Sequence, residues 1–396
     1  MISRVDPGFK QELEKFGLHE WNECYHCGNC TAICPLTRDD SLFPRRGIRL
    51  AQMGLKKQLA SSVEPWLCYY CGECSETCPR NANPGELMMV LRRYLTAYYD
   101  WTGLSRLFYT RKIWEFAAII LIALVVVVSF LLFLSPSPEL FSNPSAFIND
   151  QGGVMINSLA DGIAGPRFIQ LIHIGDLLMA LIVGGFLISN ILHMFYRVIL
   201  SNKQVHIPFA AYFTEFWSLL FNFVTQARFS KCHNRTYWIG HLLVMSGYTI
   251  MFTIIVLFLK EFQIEEVRPW YNWQRLLGYY ATIGLLFFLI YTFIGRIRKT
   301  DLKMQFSHTS DWMFIVLLFL TTITGILIHI FRISGMPVAT YYSYLIHLAV
   351  LVPMIVVEVP FSKWSHLAYR PFAIYFSRLQ RYGRARQVAL ELEYAN

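Results

Sequence analysis

The chain has 396 residues, of which 55% are hydrophobic and 15% charged, with a net charge of +9. A charged share well below the roughly one quarter usual in soluble proteins excludes a soluble protein over the whole length. Lys and Arg gather in loops beside apolar runs rather than along one basic face, which argues for membrane orientation and against a nucleic-acid partner. Residues 1–113 read as an ordinary polar segment. Their opening stretch, with Asp6, Lys10, Glu12 and Glu14, lacks the apolar core of a signal peptide, so the expectation is a cytoplasmic segment.

Within it, Cys24, Cys27, Cys30 and Cys34, followed by Pro35, have the spacing C-x2-C-x2-C-x3-C-P. Cys68, Cys71, Cys74 and Cys78, followed by Pro79, repeat it. This is the run of bacterial two-cluster ferredoxins, in which the fourth cysteine ligates the other cluster. Three thiolates within seven residues wrap three corners of a [4Fe–4S] cube, and the fourth is carried towards the second cube. The expected sets are Cys24, Cys27, Cys30 and Cys78 for one cluster, and Cys68, Cys71, Cys74 and Cys34 for the other. Disulfides are disfavoured in a reducing compartment, and zinc sites rarely take three close cysteines with a distant fourth. The 33 residues between the motifs, 35–67, read as an inserted helical segment. Its Arg45, Arg46 and Arg49 either dock an acidic partner or lie solvated. The ninth cysteine, Cys232, is expected in a loop as an ordinary free thiol.

Six apolar segments of spanning length follow, near 115–135, 170–198, 237–259, 275–295, 312–332 and 340–361. Arg106, Arg111 and Lys112 precede the first. Lys203, Arg228, Lys231 and Arg235 lie between the second and third, and Arg296, Arg298, Lys299 and Lys303 between the fourth and fifth. Arg370, Arg378, Arg381, Arg384 and Arg386 follow the sixth. The connection at 136–167 carries Arg167 against Glu139, Asp150 and Asp161. This bias puts both termini on the cytoplasmic side of the inner membrane.

Ionisable residues at membrane depth are functional candidates. His173, His329 and His347 fall towards the outer side, and His193, His241 and His366 towards the inner side. Histidines on facing helices are the usual ligands of b-type haem in a bundle. His347 and His366 are 19 residues apart, about 28 Å along an ideal helix, so they serve different haems. Pro353 and Pro360 leave the facing angles of the sixth span open. His173 shares a face with the small residues Ala180 and Gly184. His193 shares one with Leu178, Ile182 and Phe186, more like a lipid side, and His329 remains a competitor. Asp176, one turn from His173, and Glu358 in the sixth span are candidates for proton transfer or a quinone site.

With both halves read, the chain resembles the membrane subunit of the quinone-interacting membrane-bound oxidoreductases of sulfate-reducing prokaryotes. Such subunits fuse a part similar to the iron–sulfur C subunit of heterodisulfide reductase with a cytochrome b similar to the gamma subunit of respiratory nitrate reductase. The sharper match is YLIHLAVLVPMIVVEVPFSKWSHLAYRPF, residues 344–372. It implies one haem ligand each from His347 and His366. YWIGHLLVMSG implies a ligand role for His241, although the second histidine of that family helix is replaced here by Met251. The resemblance thus implies an inner haem on His241 and His366; because of Met251, an outer haem on His347 must take its partner elsewhere, from His173 or alternatively His329, or is missing. It implies a mainly α fold: a two-cluster ferredoxin-like domain at 1–100, a linker at 101–113, a six-helix cytochrome domain at 114–370 and a basic tail at 371–396. It further implies menaquinone as substrate, two soluble flavin- and iron–sulfur-containing partner subunits, and electron transfer to adenylylsulfate reductase.

The mechanism expected from this is a redox relay between menaquinol, haems, clusters and a soluble partner, with its direction unspecified by sequence. Related membrane subunits of heterodisulfide reductase-like or sulfite-reduction-associated complexes share the pattern. A membrane anchor that binds no quinone is the competing class. A transporter is disfavoured, because the six spans show no internal repeat and no matched pair of broken helices.

Overall fold

The computed structural model describes residues 4–17, 21–38, 41–163, 167–201, 205–262 and 264–395; Lys203, expected among the loop cations, lies outside them. Among the described residues the chain is helical and forms no sheet, only isolated bridges. Six helices are long and apolar enough to cross a membrane: Lys112–Phe133, Phe168–Leu200, Arg235–Leu257, Trp273–Arg298, Thr309–Ile333 and Pro337–Phe361. They match the six expected segments in order and number. The first is apolar all round, and of its side chains only Glu115 and Phe130 are buried. A helix of that kind faces lipid on most of its surface.

The third and fourth spans approach closely through small residues. A Cβ on Gly247 would stand 3.2 Å from the Ala281 carbonyl oxygen, and one on Gly284 would stand 3.3 Å from that of Leu243. At one end of the bundle, residues 134–163 fold into a small apolar cap with Phe168, Tyr341 and Tyr344. Glu265 pins this cap by accepting from the Ile156 and Asn157 amides. The segment with the two cysteine motifs sits at the other end, here termed the proximal end.

Two features of the proximal end differ from expectation. The sixth span ends at Phe361, after a π-helical turn, Met354–Glu358, that begins just past Pro353. Ser362 breaks the helix, and His366, placed at the end of that span from sequence, instead opens a new helix, His366–Ala395. That helix runs straight through the expected boundary at 370/371, so the basic tail is structured. It packs on the cysteine segment, where Tyr369 stacks on Trp66 at 4.7 Å. The second difference is His193. Its Nδ1 donates to the Tyr99 carbonyl at 3.0 Å and its ring stacks on Tyr98, so it faces protein rather than lipid. Spacing within the second span could not reveal the helix Pro84–Tyr99 that covers it.

Candidate redox site

The two cysteine motifs fold the same way because they carry the same backbone requirements. Gly28 and Gly72 occupy equivalent places with φ of 88° and 98°, and each caps a short helix that carries the third cysteine. The residue two before each glycine, His26 or Tyr70, also has a positive φ, 57° and 56°. Left-handed backbone at two of three consecutive positions curls each loop tightly, a kind of turn suited to anionic sulfur. The Tyr70 amide donates to the Cys68 sulfur at 3.3 Å.

The eight cysteines then sort by proximity. Cys30 feels Cys24, Cys27 and Cys78, whereas Cys34 feels Cys68 and Cys71. Cys74 feels Cys68, Cys71 and Cys34 ahead of Cys30. Burial pushes the Cys30 and Cys34 thiols up to about 11. The inserted segment is helical, as expected, at Arg45–Gln52, Lys56–Ala60 and Glu64–Leu67. Arg46, more than half exposed, pairs with the buried Glu64 at 3.1 Å.

Surroundings separate the two motifs. Around the first, Cys27 is exposed, and Arg80 bridges Tyr25 and Glu23 at the surface. The second is enclosed by the membrane half. Arg92 and Arg370 both donate to the Cys68 carbonyl, and Arg370 lies over the Tyr69 ring at 4.4 Å. The His233 amide donates to Glu73 at 2.7 Å. Cys232 is a free thiol, as expected, but its setting is not ordinary. It is buried beside Cys71, and that contact draws the Cys71 thiol down and pushes the Cys232 thiol up.

Directly beneath, rings lead inward. Tyr69 stacks on Phe229 with centroids 4.6 Å apart, Phe229 meets the His241 ring at 5.6 Å, and His241 faces His366 at 6.2 Å. The two imidazoles are tied through the same nitrogen. His241 Nδ1 donates to Gln226 Oε1 at 2.8 Å, and His366 Nδ1 donates to the Lys363 carbonyl at 2.7 Å. Carbonyl oxygens only accept, so both rings carry hydrogen on Nδ1 and present Nε2 as the lone-pair nitrogen. Metal–imidazole bonds of about 2 Å would set two rings sandwiching one metal roughly 6 Å apart, centroid to centroid. The observed separation of 6.2 Å is compatible with both rings binding one metal ion. Gln226, itself buried and at φ 49°, was not singled out from sequence.

His241 and His366 line a cavity of about 170 Å³. This adjoins a second of about 740 Å³, with which it shares Phe223, Tyr248, Trp364, Leu367 and Pro371. The larger volume is in the usual range for cofactor and ligand pockets, about 300–1,000 Å³, and the smaller one alone is below it. Asp176, His329 and His347 line the larger cavity, and His173 does not. His347 Nδ1 meets Thr324 Oγ1 at 2.9 Å, and that hydroxyl donates to the Leu320 carbonyl, so His347 Nδ1 is the donor. In contrast, His329 Nε2 is engaged by the Tyr279 hydroxyl at 3.0 Å. Glu358 lines neither cavity. It is fully buried beside Glu115, whose Oε1 accepts from Ser362 at 2.6 Å.

Comparison with known proteins identifies the N-terminal part. Residues 20–82 match the family described as 4Fe-4S dicluster domain, so the chain carries an iron–sulfur dicluster module ahead of six apolar helices. Two curated relatives are similar: the C subunits of the H(2):CoB-CoM heterodisulfide,ferredoxin reductases of Methanothermobacter thermautotrophicus and Methanothermobacter marburgensis. Each is 32% identical over 63 residues, 16% of this chain and 34% of the relative. The chain thus spans about a third of the length of the relatives it matches. No solved structure matches.

Proposed function

We propose that this chain is the membrane electron-transfer subunit of a quinone-linked oxidoreductase complex. In this reading Cys24, Cys27, Cys30 and Cys78 hold one [4Fe–4S] cluster, and Cys68, Cys71, Cys74 and Cys34 hold the other. His241 and His366 hold a b-type haem. When bound, these groups supply one-electron carriers. The observation that carries the reading is the continuity from the second cysteine loop through Tyr69 and Phe229 to two imidazoles with free Nε2 atoms. Gln226 and the Lys363 carbonyl fix the tautomer and orientation of those rings, the role of hydrogen-bonded neighbours at metal sites. Arg92 and Arg370 hold the Cys68 carbonyl and so the loop itself.

For a second haem, His347 is in place, and His329 is the partner that lines the same cavity once it exchanges Tyr279 for metal. The sequence-favoured His173 is the weaker choice. The larger cavity also suits menaquinol, with Asp176 as the carboxylate that takes up a released proton. The exposed first motif is the outlet to soluble flavin- and iron–sulfur-containing partner subunits, and through them to adenylylsulfate reductase in a sulfate-reducing cell. Both termini are then cytoplasmic.

A second reading is favoured by the similarity over 63 residues to the C subunit of heterodisulfide,ferredoxin reductase. It makes the partner complex heterodisulfide reductase-like and leaves the wiring unchanged. The test is a dithionite-reduced minus oxidised spectrum of the purified chain, with haem and iron counted per polypeptide. The relay requires about eight irons and b-type haem that is lost in His241→Ala and in His366→Ala. His329→Ala is expected to perturb the second haem, and His173→Ala to leave it unaltered. Iron without haem would reduce the membrane half to an anchor.

A further inference from the structure

Cys232 stands apart from the two motifs in sequence, yet it is only 2% exposed and lies against Cys71. The loop that delivers it is held on both sides. Phe229 stacks on Tyr69, between Cys68 and Cys71, and the His233 amide binds Glu73, between Cys71 and Cys74. A second group arrives from another connection. Lys303 is 5% exposed, approaches the Gly72 turn, and interacts electrostatically with both Cys71 and Cys232. Its ammonium is held by the Tyr237 ring at 4.1 Å and by Asp301 at 3.9 Å. Two independent loops of the membrane half therefore bring a buried thiol and a buried ammonium to the second cysteine loop.

We propose that Cys232 is a positioning residue for the cluster of the second motif, donating its S–H to the Cys71 sulfur and, with Lys303 behind it, raising the reduction potential of that cluster alone. This rests on the two-cluster reading above. Reduction adds negative charge to a cluster, and hydrogen bonds to its sulfurs and nearby net charge are among the terms that set its potential. A donor and a cation stabilise the reduced form. The polar contacts to the first motif from Arg45, Gln52, Thr77 and Arg80 come instead from the N-terminal segment.

The test is a redox titration of the full-length protein followed by the electron paramagnetic resonance of both reduced clusters, with iron counted in each variant. In Cys232→Ala one midpoint is expected to shift downward and the other to stay, while Cys232→Ser recovers part of the shift. Wild-type midpoints in Cys232→Ala at wild-type iron content would overturn the proposal. Where Cys232→Ala does not retain iron, Cys232→Val repeats the test without a donor. Iron loss in both with retention in Cys232→Ser supports the donor role, and loss in all three shows packing and overturns it. A wild-type protein lacking two reducible clusters refutes the two-cluster reading instead.

Discussion

The two cysteine loops are near copies in backbone and opposites in surroundings. Both curl through a positive-φ residue and a glycine, at His26 and Gly28 in one and at Tyr70 and Gly72 in the other. Yet Cys27 faces solvent, whereas Cys71 is covered by Cys232 and Lys303 and leads through Tyr69 and Phe229 to the imidazole pair. The repeat dictates how each loop presents sulfur. The neighbours decide what each loop faces, one the solvent and the other the membrane half.

The most disruptive way to probe that contrast is to remove the cysteine that each loop is proposed to lend to the other. Cys30 groups with Cys78, and Cys34 with Cys68 and Cys71. Cys78→Ala is therefore expected to lose about four of eight irons and to leave the same residual resonance as Cys24→Ala. Cys34→Ala should match Cys68→Ala. If Cys78→Ala matched Cys68→Ala, each loop would close its own cluster and the shared architecture would be wrong.

A smaller effect is expected at Gln226, which belongs only to the enclosed side. Removing a hydrogen-bonded neighbour of a metal-ligating histidine typically weakens metal binding 10–100-fold. Gln226→Ala should weaken haem retention by about that factor, read by titrating haem into protein depleted of it, and should leave iron content unchanged. Gln226→Glu keeps an acceptor and is expected to restore binding. Equal retention in Gln226→Ala and wild type would mean that His241 is oriented by packing on Phe229 and Phe288 alone.

What sequence made legible follows the range of the forces involved. Hydrophobic runs and cysteine spacing are local, so the six spans and both loops were readable from the chain alone. His241 and His366 were paired by resemblance, and the structure brings their rings to 6.2 Å, tilted by 58°. The missed features are contacts between distant segments. Cys232 reaches Cys71, Arg370 reaches the Cys68 carbonyl and Gln226 reaches His241, and no local pattern signals any of these. The one available hint at Gln226 was a polar residue in an aromatic stretch just before the third span. His193 was misread for the same reason: its hydrogen-bond partner, Tyr99, lies 94 residues earlier in the chain. Glu115 was overlooked because a single acid at the start of a span looks like an ordinary interfacial charge.

The smallest expected effect lies where the second loop is followed by a long helix, Pro84–Tyr99, which the first loop lacks. Asn83 caps that helix by accepting from the Glu86 amide at 3.3 Å, and its side chain also receives the Ser75 hydroxyl at 2.6 Å. Its φ of 44° is left-handed, which Asn and Gly tolerate and Ala does not. Asn83→Ala therefore loses both the cap and the backbone fit, a cost of about 1–2 kcal/mol. Asn83→Gly loses the cap but keeps the backbone, so a few tenths of a kcal/mol is expected. The urea midpoint for bleaching of the cluster absorbance should fall in the order wild type, Gly, Ala. If Gly were as damaging as Ala, the Ser75 bond rather than backbone conformation would be what holds the end of the second loop to its helix.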